Sequence, residues 1–158
     1  VVSSGGVSVG DYDLVKTSLE KMGQEMLFWK VAMKPGKPLA FGRIDDVPIF
    51  GLPGNPVSSF VSFEQFVRPS IRKMMGATQL NHKSVQAKLT RTVHKKAGRQ
   101  HFLSAYVNWE DGECTVSPTQ EQGSGILKST VNANGLLIFP LELTEMTEGT
   151  EVTVQLLE

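Results

Sequence analysis

The hydrophobic period of this chain changes once. Up to Gly76, apolar residues recur at helical spacing between short apolar runs; from Ser84 they alternate every second residue. A helical stripe and a half-buried strand place their apolar side chains differently, so one pattern cannot serve both. The switch therefore predicts two folding units, an α/β part and an all-β part. The polar stretch 77–83, "ATQLNHK", marks the boundary, giving domains at 1–76 and 77–158. A length of 158 residues suits one or two small domains.

In the first part, Val1 and Val2 read as the end of a buried strand. The stretch "GGVSVGDYD" (5–13) follows as a glycine-rich loop, and Asp11 or Asp13 is the natural N-cap of a helix. Tyr12, Val15, Leu19 and Met22 line one face of that helix, and Gly23 closes it. Met26 to Met33 reads as one strand. Pro38–Gly42 and Val47–Gly51 read as two more, joined by a turn at Asp45–Asp46. Asn55 then caps a helix with Pro56 at its first position. Phe60, Phe63, Val67, Ile71 and Met74 form its expected apolar face, and Gly76 ends it. Pro69 lies inside this helix. An interior proline costs about 3 kcal/mol, so a kink or break is expected near Phe66–Val67.

In the second part, Val85, Ala87, Leu89 and Val93 alternate with polar residues, as do Leu103, Ala105, Val107 and Trp109. Asp111–Gly112 is a two-residue hairpin signal leading into Cys114–Val116. Asn134–Gly135 is a turn signal before "LLIFP", and Val152, Val154 and Leu156 alternate again. Four to six short strands of this kind predict a small β-barrel or sandwich.

The charge balance excludes several function classes. Formal net charge is zero, so no global field draws the chain to nucleic acid or to an anionic membrane. No apolar run approaches the roughly 20 residues of a membrane span. The one cysteine, Cys114, cannot form an internal disulfide, which fits a reducing cytosol.

Three loops carry the chemistry. Open α/β sheets bind ligands beyond the carboxyl ends of their strands, so these loops are expected to converge. In the first, Gly5 to Asp13, glycines let backbone amides approach a phosphate, and Ser8 offers a hydroxyl. A carboxylate beside a phosphate is useful when a divalent cation bridges them, which suits Asp13 or Asp11 holding Mg²⁺. The plain alternative is a tight turn with an aspartate cap. The second loop is "KPGKP" (34–38), after Lys30. Each of Lys34 and Lys37 precedes a proline, which stiffens the backbone and favours an anion between the ammonium groups. The third, "GLPGNP" (51–56), joins a strand to a capped helix whose free amides suit an anion. His82, His94 and His101 lack metal-ligand spacing, and the basic run 91–99 reads first as a solvated rim.

Taken together, "SSGGVSVGDYD", "FWKVAMKPGKPLAFG" and "GLPGNPVSSFVSFEQFVRP" resemble the molybdopterin molybdenumtransferase family, which includes the bacterial MoeA proteins and the E domain of gephyrin. The resemblance covers residues 1–76 with three motifs in order and continues more weakly through 77–158. It implies the later half of a MogA-like, molybdopterin-binding α/β domain followed by a small β-barrel. It also implies a reaction: adenylylated molybdopterin and molybdate give molybdenum cofactor, AMP leaves, and Mg²⁺ assists. On this resemblance, Gly5, Gly6 and Ser8 face the pterin phosphate or the oxyanion, and Asp13 helps hold Mg²⁺. Lys30, Lys34 and Lys37 are the basic positions, with Lys37–Pro38 at the molybdate. Gly54 and Asn55 close the other side of the pocket, and Arg99 and Ser124 reach toward molybdate from the barrel half.

The family's proteins are longer, work as dimers in the cytoplasm and carry N-terminal domains and an upstream acidic motif not found before Val1. The chain is thus expected to be a fragment with an unpaired sheet edge, poorly stable and inactive alone. Two other functions compete. One is a non-catalytic oligomeric scaffold of the gephyrin type; the other is a molybdopterin adenylyltransferase, a related fold that lacks the barrel.

Overall fold

The computed structural model describes residues 1–5, 21, 23, 25–119 and 131–157. They divide into two compact units: Val1–Val31 with Pro35–Asn81, and Ala32–Lys34 with His82–Glu158. The helix expected after Asp11 lies outside the described residues, although Gly23 has the positive φ of 81° expected of a closing glycine.

The first unit holds β1 (Val2–Ser4), β2 (Glu25–Lys30), β4 (Pro38–Ile44) and β5 (Val47–Leu52) in the sheet order β1-β5-β4-β2. β1 runs parallel to β5, while β4 is antiparallel to both β5 and β2. The β4–β5 hairpin turns where the sequence indicated, with Asp45 at φ 51°. Leu39, Phe50, Leu52 and Val67 form the buried core, with Phe28, Val31, Phe41, Phe63 and Phe66 packed against it.

Three expectations need correcting here. Val1 and Val2 are not buried: they are 69% and 47% exposed, because β1 has a described strand on one side only. Met26 to Met33 is not one strand. β2 is bulged at Met26/Phe28 and again at Phe28/Lys30 and ends at Lys30, and Met33–Lys34 (β3) joins the sheet of the second unit. The helix opens as expected at α1 (Pro56–Ser62), with the Asn55 side chain accepting from the Ser58 amide at 3.3 Å. Its apolar face differs, however: Val57, Val61 and Val67 are buried while Met74 is 64% exposed. Beyond Ser62 the phase is shifted by a π-helical turn, Phe63–Val67, in which the Arg68 amide bonds to the Phe63 carbonyl. The extra residue rotates the later positions out of phase. This turn is the interruption expected from Pro69, which supplies no amide of its own. α2 (Arg68–Met74) then stops in a Schellman motif, with Gly76 at φ 78° donating to Lys73 and Ala77 donating to Arg72.

The second unit contains β6 (Ser84–Leu89), β7 (Val93–His94), β8 (Gln100–Glu110), β9 (Glu113–Pro118), β10 (Gly135–Phe139), β11 (Glu145–Met146) and β12 (Glu151–Leu156). β10, β12, β6, β9 and β8 pair in that order, and β8 pairs back to β10, so five strands close into a barrel. Ala87, Leu89, Ala105, Val107, Val116, Leu137, Phe139, Val152 and Val154 fill it. The β8–β9 hairpin has positive φ at both Asp111 and Gly112, the backbone that an Asp-Gly signal demands. The inward alternation of β8 holds through Val107 and ends at Trp109, which is 54% exposed. Asn134–Gly135 does not form a hairpin turn; Gly135 opens β10 itself.

Candidate functional site

Strand directions decide which loops meet. Ser4 on β1 is in register with Leu52 on the parallel β5. Ala40 on the antiparallel β4 faces Gly51, and Lys30 on β2 faces Pro38. One end of the first unit's sheet therefore gathers the exit of β1, the exit of β5, the start of β4 and the end of β2. That end carries Gly5, Gly54, Asn55, Lys37, Pro38 and Lys30.

The two glycine loops touch. The Gly5 amide donates to the Leu52 carbonyl at 2.9 Å, and Gly5 sits at φ 87°, a conformation that glycine adopts without strain. A Cβ placed on Gly54 would lie 3.4 Å from the Gly5 Cα. Two backbones thus approach with no side chain between them. The Ser4 hydroxyl donates to the Pro53 carbonyl at 3.3 Å and lies 3.4 Å from the Ser59 hydroxyl. Sequence reasoning missed this serine pair, which ties the exit of β1 to the first helical turn. Its only signal was the serine repeat flanking two glycine motifs.

The lysines of the second loop fall in both units. The Val31 amide donates to the Lys37 carbonyl at 3.1 Å, and buried Gly36 turns the chain at φ 103°. Lys30 and Lys37 stay with the first unit, both exposed. Lys34 belongs to the second unit through β3, which pairs with β8 in the register Met33 with Gln100 and Lys34 with His101. Lys34 and Lys37, three residues apart in sequence, are thus counted in different units.

Arg99 stands just before β8, half-buried, in the same unit as Lys34. Between them lies His101, 8% exposed. Burial, then the charges of Lys34, Lys95 and Arg99, push its imidazole down to about 4, so it is neutral at physiological pH. The plain reading of His101 from its spacing overlooked this cation cluster. Its signal was the break in alternation at the start of β8, where His101, Phe102 and Ser104 are all buried.

Gly6, Ser8, Asp13 and Ser124 lie outside the described residues. Among the described residues no three His, Cys, Asp or Glu side chains are grouped to hold a metal. No described helix is long and apolar enough to cross a membrane.

A four-stranded sheet with convergent glycine loops at one end, followed in sequence by a small closed barrel, makes an α/β unit joined to an all-β one. Residues 1–73 match the family described as probable molybdopterin binding domain, and residues 86–157 match the MoeA C-terminal region, domain IV. The chain is 41% identical to molybdopterin molybdenumtransferase of Haemophilus influenzae, over 98% of this chain and 39% of that protein. It is 37% identical to gephyrin of Dictyostelium discoideum, over 96% of this chain and 24% of that one. The molybdopterin biosynthesis MoeA protein of Pyrococcus horikoshii superposes with a TM-score of 0.79 at 31% identity, covering 100% of this chain and 37% of that one. The chain belongs to the molybdopterin molybdenumtransferase family. It spans well under half the length of these relatives.

Proposed function

We propose that this chain is part of a molybdopterin molybdenumtransferase, an enzyme that inserts molybdate into adenylylated molybdopterin and releases AMP. The observation that carries this reading is the contact of the Gly5 and Gly54 backbones at the sheet end that also bears Lys30 and Lys37. That end suits a phosphorylated ligand: close main-chain approach, a capped helix start and two exposed cations. Asn55 and Pro38 border it, and Gly6 and Ser8 continue the same loop in sequence. On the second unit, Lys34 and Arg99 take the oxyanion, with Ser124 assigned to the same task.

The chemistry asks little covalent work of the protein. Breaking the phosphoanhydride builds negative charge on phosphate, and lysines fixed nearby stabilise it. Binding both substrates on one protein converts a bimolecular encounter into a local one. Metal insertion itself is chemistry of molybdate and the dithiolene. No described carboxylate cluster fits Mg²⁺. Its proposed place rests on Asp13 alone, and no step here depends on it.

The proposal extends to domains at 1–76 and 77–158, to a homodimer of the longer protein, to a cytoplasmic location and to no role in nucleic-acid binding. The test is made on the full-length protein with adenylyl-molybdopterin. Molybdate-triggered AMP release supports the transferase. Consumption of ATP with free molybdopterin supports an adenylyltransferase instead, and tight ligand binding without turnover supports a scaffold.

A further inference from the structure

Four elements of the second unit meet at His101. Lys34 on β3 is its register partner on one side, and Phe139 on β10 is its partner on the other, with ring centroids 6.4 Å apart. Arg99 precedes β8 by one residue. With β8 itself, the fourth element is the loop between β7 and β8, which carries both Lys95 and Arg99. This loop is pinned: the Lys95 amide donates to the Thr144 carbonyl at 2.8 Å, and the Gly98 amide donates to the Leu141 carbonyl at 3.2 Å. The Lys95 ammonium donates to the same Leu141 carbonyl at 3.2 Å and lies 4.9 Å from the centre of the Phe139 ring.

Three cations therefore act on one imidazole, and none of them makes an ion pair with a described carboxylate. Like charges that act on one group repel one another, and an anion among them makes the arrangement favourable. The backbone bonds and the ammonium's bond to Leu141 hold Lys95 beside the Phe139 ring, so its charge is placed before any ligand arrives. A charged histidine in the middle would add to the repulsion. β10 contributes no charge, and the nearest histidine along the chain, His94, is exposed beside Glu145.

We propose that Lys95 and His101 belong to the oxyanion-holding end of the second unit, Lys95 as a third cation beside Lys34 and Arg99, and His101 as the positioning residue between β3 and β10. This rests on the reading that Lys34 and Arg99 receive the substrate oxyanion. It adds a binding residue and a positioning residue that the sequence motifs did not contain.

Linkage gives the decisive readout. A dianion placed among the three cations offsets their field, so its binding raises the imidazole pKa from its low value, whereas a histidine remote from the bound anion does not respond. The experiment uses the full-length protein and inorganic molybdate. Calorimetry measures affinity for Lys95→Met, Lys95→Arg, Lys34→Met and Arg99→Met, and histidine NMR follows His101 with and without molybdate. Lys95→Met is expected to weaken molybdate binding roughly three- to tenfold, Lys95→Arg to restore most of it, and the His101 titration to move upward on binding. Unchanged affinity in Lys95→Met, with clear losses in Lys34→Met and Arg99→Met, overturns the role of Lys95 and leaves the oxyanion reading intact. Unchanged affinity in all three removes that reading and this proposal with it. If Lys95→Met fails to fold, the wild-type titration still decides: a His101 pKa unmoved by saturating molybdate overturns the proposal.

Discussion

Gly5 and Gly54 stand so close that a Cβ on Gly54 would lie 3.4 Å from the Gly5 Cα, while the Gly5 amide bonds to Leu52. Two loops nearly fifty residues apart in sequence are thereby held as one surface. Gly54→Ala forces the loops apart by a few tenths of an ångström, since the neighbour is backbone and yields little. It is expected to weaken adenylyl-molybdopterin binding at least tenfold while lowering stability by only about 1 kcal/mol. Calorimetry beside urea unfolding separates the two effects.

The barrel closes through a different pair. The Asn134 side chain accepts from the Val107 amide at 2.7 Å and donates to the Val107 carbonyl at 2.9 Å, extending the β8–β10 ladder by one side chain. Asn134→Ala leaves both Val107 groups without that partner and is expected to cost about 1–3 kcal/mol. Next to it, a Cβ on Gly135 would lie 2.8 Å from Val154 Cγ1 and 2.9 Å from Val107 Cγ2. Gly135→Ala is expected to destabilise by about 1–3 kcal/mol through overpacking. Denaturant midpoints for the two variants check both values.

His101 makes stability depend on pH. Its pKa is about 4 in the folded chain against about 6.5 unfolded, so the unfolded state binds more protons between those values. Its contribution is complete above pH 6.5 and is lost as pH falls toward 4. At pH 5.5 the loss is roughly 1 kcal/mol, and His101→Gln flattens the slope in this window. Unfolding curves at pH 7.5 and 5.5 for both proteins measure it.

Lys37 is exposed at the sheet end and makes no contact on which the fold depends beyond its backbone carbonyl. Lys37→Met is expected to cut kcat/KM for molybdate-dependent AMP release roughly ten- to hundredfold without shifting the melting temperature. Asp13→Asn is expected to lower turnover similarly and to change its response to added Mg²⁺. A turnover assay and a thermal melt on each full-length variant test this.

Much of the fold was legible because local chemistry agreed with tertiary structure. The Asn55–Pro56 cap, the Asp45–Asp46 turn, the Asp111–Gly112 hairpin and the closing Gly76 each need a particular backbone that few residues adopt. Period two in the second half likewise gave a barrel, since alternation survives wherever one face is buried. What failed was decided by non-local pairing. Val2 is apolar, but its strand has a described neighbour on one side only, and Met33–Lys34 did not continue β2 because β3 pairs with β8. The apolar face of the helix slipped because one π-helical residue changed its phase, which a periodicity count from Phe60 to Met74 cannot register. Of the site, the glycine contact was foreseeable from the loops. The cluster at His101 was not, because Lys34, Lys95 and Arg99 are joined only by the register of β3 and the pinned loop.

The most direct measurement is the ratio of AMP released to molybdenum bound by the pterin product, in the full-length protein supplied with adenylyl-molybdopterin and increasing molybdate. One molybdenum per AMP, with negligible AMP when molybdate is omitted, is the predicted result. Full AMP release without molybdate, or molybdate uptake with the phosphoanhydride left intact, would contradict it.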